Sequence, residues 1–168
     1  MNTNERQALL EEELLLVRHS GEIPEVALHA SLHYLCDDAD GPRLQLSPQE
    51  RRTLEEAVLA RYQEIILRDL NADNRTLSLF RGIRRANHNW YRFVRFSDKI
   101  DRSYEQFRNI AAEALLRYLH ITCSENPGGH DCAAVNCTPD ALLTFAIALG
   151  VDEVRLPENW QYQCEKNA

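Results

Sequence analysis

Five arginines, a histidine and a lysine recur at helical intervals near the middle of the chain: Arg81, Arg84, Arg85, His88, Arg92, Arg95 and Lys99. At about 100° per residue these positions gather on one side of a helix. Leu79, Ile83, Ala86, Trp90, Phe93 and Val94 gather on the other. From Arg81 to Arg95 such a helix is about 21 Å long at 1.5 Å per residue. Like charges at four-residue spacing cost roughly 0.2–0.5 kcal/mol per pair, so something must offset them. Arginine dominates the ridge, and its planar fork matches carboxylate and phosphate oxygens two at a time. Asn89 and Tyr91 flank the ridge and offer a hydrogen bond and a stacking ring. The same residue types permit acid–base cleavage of RNA, with His88 as base and Arg84 holding phosphate beside Asn89.

A second group is His120, Cys123, His130, Cys132 and Cys137, spaced H-x2-C-x6-H-x-C-x4-C. Thiolates and imidazoles of this kind hold zinc in a tetrahedron, and the Gly128-Gly129 turn lets the chain fold back on a metal. No cofactor is expected, and zinc is the one these residues could take. The spacing is not the paired C-x2-C form, and three unrelated thiols beside a loop give the same pattern. A redox pair is the other chemistry available. Cys137 precedes a helix whose dipole favours thiolate, with Cys132 five residues away to resolve a disulfide. Cys36 and Cys164 stand apart and read as structural. A third pattern, Glu25, His29, His33 and Asp37, repeats every four residues. It faces away from the apolar side of its helix and reads as a solvated stripe.

The elements that must position these groups are helical. No stretch alternates apolar and polar residues as a half-buried strand does. The first helix covers residues 4–18, with Glu11, Glu12 and Glu13 among its leucines. A second starts at Pro24 and reaches about Cys36. Ser47-Pro48-Gln49-Glu50 starts the third with a capping box and a proline at the first helical position, and it runs to about Leu70. The fourth, about 74–96, carries the ridge, and a break follows near Ser97–Asp101 with Ser97 or Asp98 as cap. The fifth shows Ile100, Tyr104, Phe107, Ala111, Ala114, Tyr118 and Ile121, a bundle seam that can equally be intermolecular. Thr122–Cys137 forms a loop. Thr138-Pro139-Asp140 opens the last helix, and Gly150 ends it in the left-handed conformation.

The sequence thus reads as an all-α, single-domain bundle of five or six helices over residues 1–150. The Cys/His loop lies before the last helix, and a tail, 151–168, packs back on the bundle. Length and an apolar share of 44% suit one core. No apolar run spans a membrane and no export signal opens the chain, so the expected setting is cytoplasmic with reduced thiols. Net charge is −7, yet residues 75–102 hold eight basic and two acidic side chains. That makes general polyanion binding the weaker reading. No helix-turn-helix, zinc-finger or RNA-recognition signature is present, nor a phosphate loop or nucleophile elbow. The expected function is binding rather than catalysis: an accessory or regulatory protein whose ridge meets an acidic protein partner. RNA or DNA on the same ridge, and metal or thiol chemistry at 120–137, are the alternatives. The bland outcome is a ridge paired internally with Glu11, Glu12, Glu13 or the glutamates of the third helix.

Overall fold

The computed structural model describes residues 2–21, 23–27, 45–71, 80–125, 139–158 and 160, and all regular structure among them is helical. Five α-helices follow in order: α1 (Thr3–Arg18), α2 (Pro48–Asn71), α3 (Phe80–Lys99), α4 (Glu105–Glu125) and α5 (Pro139–Ala148). Short 3-10 turns lie at Pro24–Ala27 and Glu153–Arg155. The chain forms two compact units, Met1–Glu64 and Ile65–Ala168. This is the all-α architecture that the hydrophobic periodicity requires.

In the first unit both helices open on reciprocal caps. Asn2 accepts from the Glu5 amide at 2.9 Å while the Glu5 carboxylate accepts from the Asn2 amide at 2.8 Å. Ser47 and Glu50 do the same at the start of α2, at 2.7 and 3.2 Å, as the sequence predicts. Leu10 and Leu54 form a small core with Leu9, Leu14 and Leu46 packed against it. Arg61 Nε donates to the Ser20 carbonyl at 2.8 Å, tying the end of the first helical segment to α2. The buried Tyr62 donates its hydroxyl proton to the Glu25 carboxylate. Of the stripe running from Glu25 to Asp37, only Glu25 lies within the described residues; His29, His33 and the rest of the second predicted helix lie outside them.

In the second unit Ile65, Ile66 and Leu70 of α2 are buried, as are Ile83, Ala86, Trp90, Phe93 and Phe96 of α3. An aromatic cluster joins α3 to α4: Trp90 stands edge-on to Tyr104 at 5.7 Å, and Phe93 edge-on to Phe107 at 5.0 Å. These are the arrangements that ring quadrupoles favour. Gly82 permits a close crossing. A Cβ there would lie 2.6 Å from the Asp69 carbonyl oxygen and 3.3 Å from the Tyr118 hydroxyl.

The break after the ridge falls where it is expected, but its chemistry differs. Ser97 is not a cap. It sits inside α3, fully buried, and the helix runs on to Lys99. The stop is Asp101, at φ 54°. Arg102 N–H donates to the Ser97 carbonyl at 2.9 Å and Asp101 N–H to the Asp98 carbonyl at 3.2 Å, a Schellman ending without glycine. Gly150, at φ 77°, ends α5 in the same way, with Val151 N–H on the Ala146 carbonyl at 2.9 Å. Beyond it Val151, Leu156, Pro157 and Trp160 are buried. Arg155 also reaches the Glu113 carboxylate of α4 at 2.7 Å.

Candidate functional site

The ridge is an exposed face of α3. Phe80–Lys99 has no acidic residue in its first turn and is sharply divided into apolar and basic sides. Arg84, Arg85, His88, Arg95 and Lys99 are exposed, and Arg92 is half-buried. Arg81 belongs to the helix, but its side chain lies outside what the structure describes. The opposite side is the core described above, so burial of Ile83, Trp90 and Phe93 is what turns the arginines outward.

Two neighbours of the ridge behave differently from each other. Tyr91 is 61% exposed and carries the Arg95 guanidinium over its ring, 5.7 Å from the centroid. It is part of the face, and a cation over an exposed ring contributes about 0.5–1 kcal/mol. Asn89 is not part of it. It is buried and its amide turns to the Asp69 carboxylate, so the expectation that it flanks a ligand does not hold. The reason is angular: Asn89 falls on the core side of Arg85, one step past the exposed arc.

Asp69 marks the inner border of the face. It is buried, and burial pushes its carboxyl above the usual carboxylate value, although Arg68, Arg85 and Asn89 all pull it down. Arg68 Nη2 lies 3.4 Å from Oδ1, and Oδ2 has no hydrogen-bond partner among the described residues. The Arg85 charge thus acts on Asp69, while the ion pair to that carboxylate comes from Arg68. His88, Arg92 and Arg95 form no ion pair or side-chain hydrogen bond among the described residues.

Several glutamates of the first unit have arginine partners within that unit. On α2, Glu50 pairs with Arg6 at 2.6 Å, Glu56 with Arg52 at 2.8 Å and Glu64 with Arg61 at 2.9 Å. On α1, Glu13 is buried, whereas Glu11 and Glu12 are exposed. Glu11 accepts a hydrogen bond from Gln7, a neutral side chain, at 2.9 Å.

Of the Cys/His group, two members are described. Cys123 is buried, a free thiol pushed up to about 11 by burial. At neutral pH it is a protonated, core-filling group rather than a thiolate. His120 is exposed, with Nε2 3.1 Å from the Arg155 carbonyl oxygen. A carbonyl only accepts, so Nε2 carries the hydrogen and offers a metal no lone pair. His130, Cys132 and Cys137 lie outside the described residues. Among the described residues no three His, Cys, Asp or Glu side chains stand together as a metal site.

The family described as "Repeat of unknown function (DUF7826)" matches residues 5–151, nearly the whole chain. The chain belongs to this family. The family match covers all of α1 to α4, apart from the first two residues of α1, and all of α5, with the basic face near its middle. No curated protein and no solved structure matches the chain. Among the described residues no helix is long and apolar enough to cross a membrane.

Sequence reasoning did not single out Asp69 or Gly82. A glycine inside an amphipathic helix is a recognisable mark of close backbone approach, so Gly82 carried a signal. Asp69 carried none, because its burial depends on the crossing that Gly82 allows.

Proposed function

We propose that this protein acts by binding, as a small accessory or regulatory protein, and that the exposed face of α3 docks an acidic protein surface. One observation carries the reading. His88, Arg92 and Arg95 stand exposed or half-buried with no acidic partner among the described residues. Self-repulsion between cations such as Arg92 and Arg95, which have no acidic partner among the described residues, is relieved by an external anion. Arginine with an exposed tyrosine is also the composition of energetically dominant contact residues. The overall charge of −7 opposes a polyanion that contacts the protein broadly, which favours a protein patch matched to the ridge over nucleic acid. The reading takes the cytoplasm as its setting, where a thiol such as Cys123 stays reduced.

The test is a charge reversal at two exposed or half-buried positions, Arg92→Glu with Arg95→Glu. Immobilised parent and variant are compared for the proteins they retain from an extract of the source cells, and for retention of RNA and DNA. Loss of acidic proteins from the variant supports the reading, and an unchanged set of retained proteins overturns it. RNA or DNA retained by the parent with a steep salt dependence, and lost by the variant, would transfer the face to nucleic acid.

A further inference from the structure

We infer that the acidic surface docked by the α3 face is the outer face of α1 on a second copy of this chain, so that copies join head to tail. The inference rests on the binding role proposed for the α3 face and names its partner.

Charge is divided unevenly along the chain. Met1–Glu64 holds thirteen acidic and six basic side chains, a net −7, and Ile65–Ala168 holds thirteen of each. The entire net negative charge therefore lies in the first unit, and the basic face lies in the second. Opposite charge concentrated in different units of one chain steers copies of it together.

The α1 face has the composition to receive the ridge. Glu5, Glu11 and Glu12 are exposed, and beside them Leu15 and Leu16 are 54% and 43% exposed. Leu15 and Leu16 lie one turn beyond Glu11 and Glu12, so the stripe is acidic along its length and apolar towards the end of α1. The α3 face is the counterpart, an exposed Tyr91 bordered by Arg92 and Arg95. Glu5 to Leu16 and Arg84 to Arg95 are each about 16–17 Å along a helix, so the two stripes match in length. Both are exposed in the single chain. The two faces differ, so the contact is heterologous, and it closes a ring or continues as an open string.

Sedimentation of the full chain across a wide concentration range, at low and high salt, tests the inference. The parent is expected to gain mass with concentration at low salt and to lose it at high salt. Arg92→Glu/Arg95→Glu and Glu11→Arg/Glu12→Arg are each expected to weaken self-association about tenfold or more. An equimolar mixture of the two variants restores it, since each then offers the face that the other lacks. Circular dichroism confirms helix content, and Leu15→Ser, a single exposed change, gives an independent loss. A parent that stays monomeric throughout, or a mixture that associates no better than its components, overturns the inference. If the parent is monomeric but the arginine variant still loses its acidic partner proteins, the binding role stands and the second copy does not.

Discussion

Gly82 of α3 passes so close to Asp69 of α2 that a methyl group on it would meet the Asp69 carbonyl oxygen at 2.6 Å. The obstacle is backbone, not the yielding tip of a side chain. A Gly82→Ala substitution gains roughly 1 kcal/mol of helix propensity, but overpacking against a fixed carbonyl costs roughly 1–3 kcal/mol. The expected outcome is a net loss of stability, seen as a lower urea midpoint. A variant as stable as the parent would show that the crossing can widen without penalty.

Asp69 itself supplies the next prediction. Burial raises its carboxyl above 3.8 despite the pull of Arg68, Arg85 and Asn89. A raised acid binds its proton more tightly in the folded state. Its contribution to stability is therefore best below the unfolded value and declines as pH rises through the folded one. Asp69→Asn keeps the shape and removes the ionisation. Its unfolding midpoint is expected to equal the parent's in acid and to exceed it at pH 7. A variant less stable than the parent at pH 7 would mean that the attraction of the two arginines outweighs burial.

Much of this arrangement is legible in the residues, and the exceptions have physical causes. Ser47 with Glu50, and Gly150, are local signals whose geometry depends on neighbours only a few residues away, and both are found as read. The basic stripe is legible because a period of 3.6 sorts charge from apolar surface whatever surrounds it. The fifth-helix seam is only partly so. Phe107, Ala111 and Ala114 are buried, but Ile121 is 52% exposed while Leu115, Leu119 and Cys123 lie in the core. A straight helix drifts about 20° per heptad, which carries a seven-residue pattern off the core within two heptads. The αL stop at Asp101 was hidden because glycine usually marks that conformation and aspartate seldom does. Whether the ridge is paired internally could not be read at all, since an ion pair between residues far apart in sequence, such as Arg6 with Glu50, follows from tertiary placement and leaves no local signal.

Acid should loosen the first unit through Glu50. Arg6 grips its carboxylate with Nε at 2.9 Å and Nη2 at 2.6 Å, and the Ser47 amide donates to it at 2.7 Å. The arginine bond first, then the serine amide, pull the carboxyl down to about 2. A depressed acid contributes its stability above the unfolded value, near 4.5, and loses it as pH falls through about 2. Thermal unfolding of the parent is thus expected to fall in that window, and Glu50→Gln to show a flatter profile there with a lower melting temperature at pH 7. An identical acid profile in the variant would place the pH dependence elsewhere.

Cys123 should be chemically silent while the protein is folded. The thiolate is the species that alkylates and binds metal, and burial holds this thiol up to about 11. At pH 8 only a small fraction ionises, and the side chain is enclosed by α4 and its neighbours. Iodoacetamide followed by peptide mass mapping is expected to leave Cys123 unmodified in the native protein and to label it in urea. The lag between native and unfolded labelling reports how often the core opens, because modification of a buried group proceeds through opening. Labelling of native Cys123 at the unfolded rate would mean that the thiol is accessible and ionised, which would return it to the candidates for metal or redox chemistry together with His120.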